Sequence, residues 1–275
     1  MNQQLNKFRQ RLTDLLEKGV ANGVYPGAVL LVAQKGQIIF VREAGNLSII
    51  PSVMPMKKDT IFDLASLTKP LATALAIMKL VDDGRIDPDR TLSEIIRAED
   101  LREKGSITLR SILSHCAGFR DWMPFYLELV NHHADKRKGL LRELIFKEPL
   151  RYPQRADCLY SDLGFMVLEW VVEVATGMSL KDFIHERVFG PMGLKRTFLL
   201  TGEPPFKKEE FAATEECPWR KRVIQGEVHD ENAFALGGYS GHAGLFSTAG
   251  EVYMIADMLR EHYYGKRRDY FSPGV

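Results

Sequence analysis

From Lys69 to Val81 the chain reads KPLATALAIMKLV, almost wholly Ala, Leu, Ile and Met. These residues favour helix, and a helix that is apolar on nearly every side has no face to offer water. It must lie at the centre of whatever the chain folds into. Gly84 stops it, and Pro70 falls in its first turn, where a missing N–H does no harm. Its head is chemically out of place, because FDLASLTKPL sets Ser66 three positions before Lys69 in an apolar run. Positions i and i+3 share a helix face, so the hydroxyl and the amine can meet. A serine hydroxyl needs a base to become a nucleophile, and a lysine can be that base when desolvation disfavours its charged form. Were Ser66 to open the helix, the backbone N–H groups there would also favour an oxyanion. S-x-x-K alone arises about once by chance in a chain this long. By itself it means an N-capping serine and a snorkelling lysine.

The rest of the chain supplies the frame. Leu5, Phe8, Leu12, Leu15 and Leu16 predict an amphipathic helix over residues 3–18, ending at Gly19. Runs 28–34 and 37–43 flank Lys35-Gly36 and predict a hairpin. Beyond Gly84, residues 91–97, 108–115, 123–131, 138–147 and 162–176 read as helices. Gly177 ends the last of these, and a further helix runs to Gly190-Pro191. Residues 201–232, rich in charge and Pro, predict a long surface excursion, and Ser247 with Glu251 predicts a final capped helix. No long strand pair is evident after residue 84.

Composition excludes several classes. Lys+Arg 37 against Asp+Glu 36 leaves net charge +1, so no global field recruits nucleic acid or an anionic membrane. Lys266, Arg267 and Arg268, near Asp269, read as a solvated face. At 275 residues the chain can bury a large core, as one big domain or two modest ones. The N-terminus has no continuous apolar run of the signal-peptide kind, and no later stretch is long and apolar enough to span a bilayer. The expectation is a cytoplasmic protein without a membrane partner. Cys116, Cys158 and Cys217 are odd in number and widely spaced, which argues against a disulfide framework, and they form no CxxC pattern. His115, His132, His133, His229 and His242 make no H-x-H or H-E-x-x-H pattern and read as core or surface residues, with no metal expected. GGYSGHAG is not a P-loop. Its glycines line a cleft or turn the chain sharply before the last helix.

LYSDLGF adds a second piece, with Tyr160 and Asp162 just ahead of a helix that Ser161 or Asp162 can cap. With it the chain resembles the serine β-lactamase and penicillin-binding-protein-like superfamily, in particular class C β-lactamase-related serine hydrolases and esterases. The likeness runs from PGAVLLVAQKG through FDLASLTKPLATALAIMKLVDDGRIDPD and ITLRSILSHCAGF to GYSGHAGLFSTAGEV. It is most specific over residues 61–89 and 159–197. S-x-x-K is itself a known motif of class A β-lactamases and penicillin-binding proteins.

The resemblance implies an α+β fold of the β-lactamase/transpeptidase type, an antiparallel sheet flanked by helices plus an inserted helical region. Residues 1–84 and 190–275 would form the α/β part and 85–189 the helical part, with the cleft between them. Ser66 would be the acylated nucleophile and Lys69 its activating partner. Tyr160 would shuttle the proton to the leaving group and later activate water. Asp162 stands where many relatives carry an amide. A carboxylate accepts from Lys69 but does not donate to a substrate carbonyl, which fits an esterase at least as well as a β-lactamase.

Relatives carry a third motif, K-T-G or H-x-G, on a late strand. His242 and Gly244 match it on paper and are substrate-binding candidates, although GLFSTA segments lie upstream of that motif in relatives. The expectation is therefore that the third motif and the C-terminal strands are missing, the chain ending at YFSPGV short of its own active site. Val29, Leu31, Ile39 and Val41 would then be exposed and favour self-association. The expected function is acyl transfer to serine and then water, on a small ester, amide or β-lactam carbonyl, with no cofactor. The rivals are a non-catalytic or truncated relative with a binding role and, more weakly, a metal-dependent hydrolase using the histidines.

Overall fold

The computed structural model describes residues 2–96 and 101–272. Helix α1 (Asn2–Ala21) runs past Gly19, which does not stop it. Tyr25 explains the glycine: its hydroxyl sits 2.2 Å from where a Cβ would stand and donates to Leu16 O at 3.1 Å. Strands β1 (Gly27–Gln34) and β2 (Gln37–Ser48) form the expected antiparallel hairpin. Its two-residue turn puts Lys35 at φ 52° and Gly36 at φ 81°, the left-handed pair a type I′ turn demands. Strand β3 (Met54–Pro55) extends this sheet beside β2.

Strand β4 (Phe62–Asp63) leads to the apolar segment, which is a single 3-10 turn at Ala65–Leu67, a π-turn over Lys69–Ala74 and helix α2 (Leu75–Asp82). Ser66 therefore lies ahead of the helix and does not cap it. Leu75, Ala76, Ile77 and Leu80 are buried, as an all-round apolar helix requires. Next come α3 (Leu92–Ile95), α4 (Leu109–Leu113), α5 (Tyr126–Leu129), α6 (Ala134–Lys147), α7 (Asp162–Thr176) and α8 (Leu180–Ile184). The expected 91–97 helix is shorter, and residue 97 lies outside the described residues. Ser161 caps α7, accepting from the Gly164 N–H, and Gly177 ends it at φ 72°.

After β5 (Phe198–Leu199), the stretch expected to be irregular holds a hairpin, β6 (Ala213–Cys217) and β7 (Arg222–Gln225). Charged residues on its outer positions hid it, while the adjoining Phe211 and Val228 join a small core with Ile61 and Phe246. Helix α9 (Glu231–Ala235), strand β8 (Leu245–Ser247) and helix α10 (Ala249–Tyr263) complete the described chain. The cap of α10 is Thr248, which accepts from the Glu251 N–H. Ser247 belongs to β8 instead, and its hydroxyl meets Thr197 at 2.7 Å.

The fold is α+β. Strand β8 is the middle of a second sheet, antiparallel to both β4 and β5. Among the described residues, 233–272 add no strand to the β1–β2–β3 sheet. Helices α1 and α10 lie against that hairpin, and Val29, Leu31, Ile39 and Val41 are half-buried rather than exposed. The main hydrophobic core extends from Leu71 to Phe271, with α2 packed against α7 and α8. Among the described residues no single helix is long and apolar enough to cross a membrane.

Candidate active site

The site starts where β8 grips β4. Phe62 pairs with Ser247 and Asp63 with Phe246, and the Leu64 N–H donates to Leu245 O at 2.9 Å. Asp63 then accepts from two backbone N–H groups, Ala65 at 2.8 Å and His229 at 2.7 Å. Burial nevertheless pushes the Asp63 carboxyl above its ordinary range. These bonds hold Ala65 at φ 46°, a conformation an alanine seldom adopts. The chain turns sharply there and leaves Ser66 exposed, while Lys69, one turn on, is only 2% exposed.

Lys69 Nζ donates to Ser66 Oγ at 2.9 Å and to the backbone carbonyl of His242 at 3.2 Å. It also pairs with Asp162 Oδ1 at 2.6 Å, without hydrogen-bond alignment. The amine lies 4.8 Å from the centre of the Tyr160 ring and 5.9 Å from that of Phe165, within cation–π range. Ser66, Lys69, Tyr160 and Asp162 are thus brought together. The first three line an open cleft of about 570 Å³ whose other walls are largely apolar, from Leu64, Leu67, Pro70, Leu113 and Phe165.

His242 and Gly244 are placed differently. The His242 ring is buried, with Nε2 2.9 Å from Asp230 Oδ1, so this residue meets Lys69 only through its carbonyl. Gly244 is also buried, at φ 105°, and a Cβ there would come within 2.6 Å of Gly238 O. It serves the turn into β8. Neither residue lines the cleft.

The loop carrying the His242 carbonyl is anchored from three elements. Gly241 O accepts from Thr73 Oγ1 at 2.6 Å, and Glu169 of α7 accepts from Ser240 Oγ and the Gly241 N–H. Lys138 of α6 pairs with Glu169 at 2.7 Å. Burial would lower the Lys138 amine, but Glu169 and Glu173 raise it well above its ordinary value. Asp162, Asp230 and His242 each place one ligand-type atom within 4.8 Å of the others. Lys69 supplies a cation at this cluster, 2.6 Å from Asp162.

The sequence reading missed Asp63 and Asp230, took His115, which also lines the cleft, for a core or surface residue, and misjudged the cysteines. Cys116 and Cys158 form a disulfide, and Cys217 is the free, buried one. An odd count does not forbid one bridge. The pair meets because residues 151–159 run back along 115–118: the Arg151, Arg155 and Leu159 N–H groups donate to Gly118, Cys116 and His115 carbonyls at 2.7, 2.7 and 3.0 Å. The only local signal was the placing of SHC and DCLYSD beside the two loops of the site.

A family model described as Beta-lactamase matches residues 12–268. The N-acetylmuramyl-L-alanine amidase of Bacillus subtilis (strain 168) is 31% identical over 278 residues, covering 92% of this chain. The chain spans 63% of that protein's length. Among solved structures, EstCE1, a hydrolase with promiscuous acyltransferase activity, superposes with a TM-score of 0.74 at 21% identity, over 98% of this chain and 75% of its own. The D-amino acid amidase from Ochrobactrum anthropi SV3 gives 0.70 at 21% identity, over 94% of this chain and 71% of its own. At such identities the two structures speak for the fold.

Proposed function

The chain belongs to the beta-lactamase family, and from that membership we propose that it is a serine hydrolase acting through an acyl-enzyme on a small ester, amide or β-lactam carbonyl. The 2.9 Å contact between the buried Lys69 amine and the exposed Ser66 hydroxyl carries the proposal. Once the Lys69 ammonium gives up a proton, the amine keeps an N–H for the His242 carbonyl and has a lone pair for the Ser66 proton. Ser66 Oγ then attacks the carbonyl carbon. Tyr160, whose ring lies over Lys69, passes a proton to the leaving group and afterwards draws one from the attacking water. The Ala65 and Leu67 N–H groups are engaged by Asp63 and Leu64, which leaves the Ser66 N–H between them for the oxyanion.

Two features favour esters with an apolar acyl group. Asp162 presents a carboxylate where an amide would donate to a substrate carbonyl, and the cleft walls offer apolar side chains. Incubation with a fluorophosphonate probe and peptide mapping should place the adduct on Ser66. Ser66→Ala should remain unlabelled and lose at least about a thousandfold in p-nitrophenyl ester turnover. Labelling elsewhere, or hydrolysis by that variant at the parent rate, would remove this reading.

A further inference from the structure

Four contacts converge on the short segment that carries Tyr160, and all come from His115 or its neighbour. The Leu159 N–H donates to His115 O at 3.0 Å, and the Ser161 N–H donates to His115 Nδ1 at 3.0 Å. The residue between them, Tyr160, lies with its ring 4.5 Å from the His115 ring. One residue on, Cys116 is bonded to Cys158. We propose that His115 is a positioning residue for Tyr160, gripping the backbone on both sides of it and the ring itself; this rests on the catalytic part given to Tyr160 above.

The local backbone is shaped for the task. His115 sits just beyond α4 at φ 60°, in the left-handed region, which turns its carbonyl and its ring toward one neighbouring segment. Asn and His enter that region more readily than bulky residues. To accept at Nδ1 the imidazole must be neutral, with its proton on Nε2. Protonation would put a hydrogen on Nδ1, facing the Ser161 N–H, and end that bond.

The charged groups facing the ring are Lys69 and Asp162, the aromatic ones Tyr160 and Phe165. Burial and then Lys69 push the His115 pKa below its ordinary value, with Asp162 opposing. The grip is therefore intact at neutral pH and released in acid. Turnover should fall as pH drops through the His115 midpoint, with kcat affected more than KM, because the proton carrier is displaced while the apolar walls of the cleft stay in place.

The first test does not need turnover. In ¹⁵N-labelled protein carrying Ser66→Ala, His115 Nδ1 should resonate as an unprotonated acceptor at neutral pH. The Ser161 amide should move with the His115 titration, at a midpoint below about 6.5. A protonated Nδ1 at neutral pH, or a Ser161 amide indifferent to the titration, overturns the proposal even if Ser66 is the nucleophile.

The second test uses two substitutions in the active chain. His115→Phe keeps a ring but no acceptor, and should lower kcat at least about tenfold with KM little changed, as small misplacements of a reacting group do. His115→Asn keeps an acceptor near Nδ1 and tolerates the left-handed φ. It should recover most of that loss and remove the part of the acid fall that follows the His115 midpoint. Parent-like kcat in His115→Phe, or an acid fall unchanged in His115→Asn, counts against the grip. Should His115→Phe fail to fold, the Asn variant and the spectra still decide.

Discussion

Lys69 is almost fully buried, with a carboxylate, a carbonyl and a hydroxyl around its amine, so charge near it is constrained. Asp230 shows this in a measurable way. Burial alone would raise its carboxyl, but the His242 imidazole, the Ala233 N–H and Lys69 outweigh burial and bring it down to about 2, against an ordinary 3.8. A carboxyl held lower in the folded than in the unfolded chain stabilises the fold above pH 3.8. That stability is lost as pH falls toward the folded value. The shift corresponds to about 2 kcal/mol. Asn is also a good helix cap, so Asp230→Asn should leave α9 capped. The substitution should reduce the urea midpoint at neutral pH and flatten its decline in acid. Identical acid dependence in parent and variant would show that Asp230 does not carry this term.

Among the elements, the segment 151–160 is irregular in backbone and depends on its tether. The Cys116–Cys158 bond spans 42 residues. Chain-entropy reasoning gives a cross-link of that span about 4 kcal/mol, on the order of 10 °C in Tm for a domain this size. Such bonds persist in oxidising compartments and are reduced by cytosolic thiols. Cys158→Ser should melt lower by that order, and reductant should lower the parent to match. A parent Tm indifferent to reductant would contradict the pairing.

The same elements show what local sequence could reveal. Helix α1, the β1–β2 hairpin and the apolar core of α2 follow from periodicity and turn residues a few positions apart. Strands β4, β5 and β8 are two or three residues long and exist because of partners far along the chain, so nothing local marks them. The site divides likewise. Ser66 with Lys69 and Tyr160 with Asp162 are short motifs and were legible. Asp63, His115 and Asp230 acquire their parts only when distant loops meet.

On the scale of the whole molecule, the Lys69–His242 bond crosses 173 positions of sequence, and the main core draws together residues from Leu71 to Phe271. Closing so long a loop is entropically late work, and folds rich in such contacts form slowly. Helices such as α7 and α10 can form from local sequence well before that loop shuts. On dilution from urea, far-UV circular dichroism should recover first, and reactivity of Ser66 toward a fluorophosphonate should return with the slowest change in near-UV signal. Reactivity that reappeared with the helices would mean that Ser66 and Lys69 suffice without the loop bearing His242. If the delay is observed, an acylating probe counts finished molecules in a mixed population and is silent on those that are merely helical.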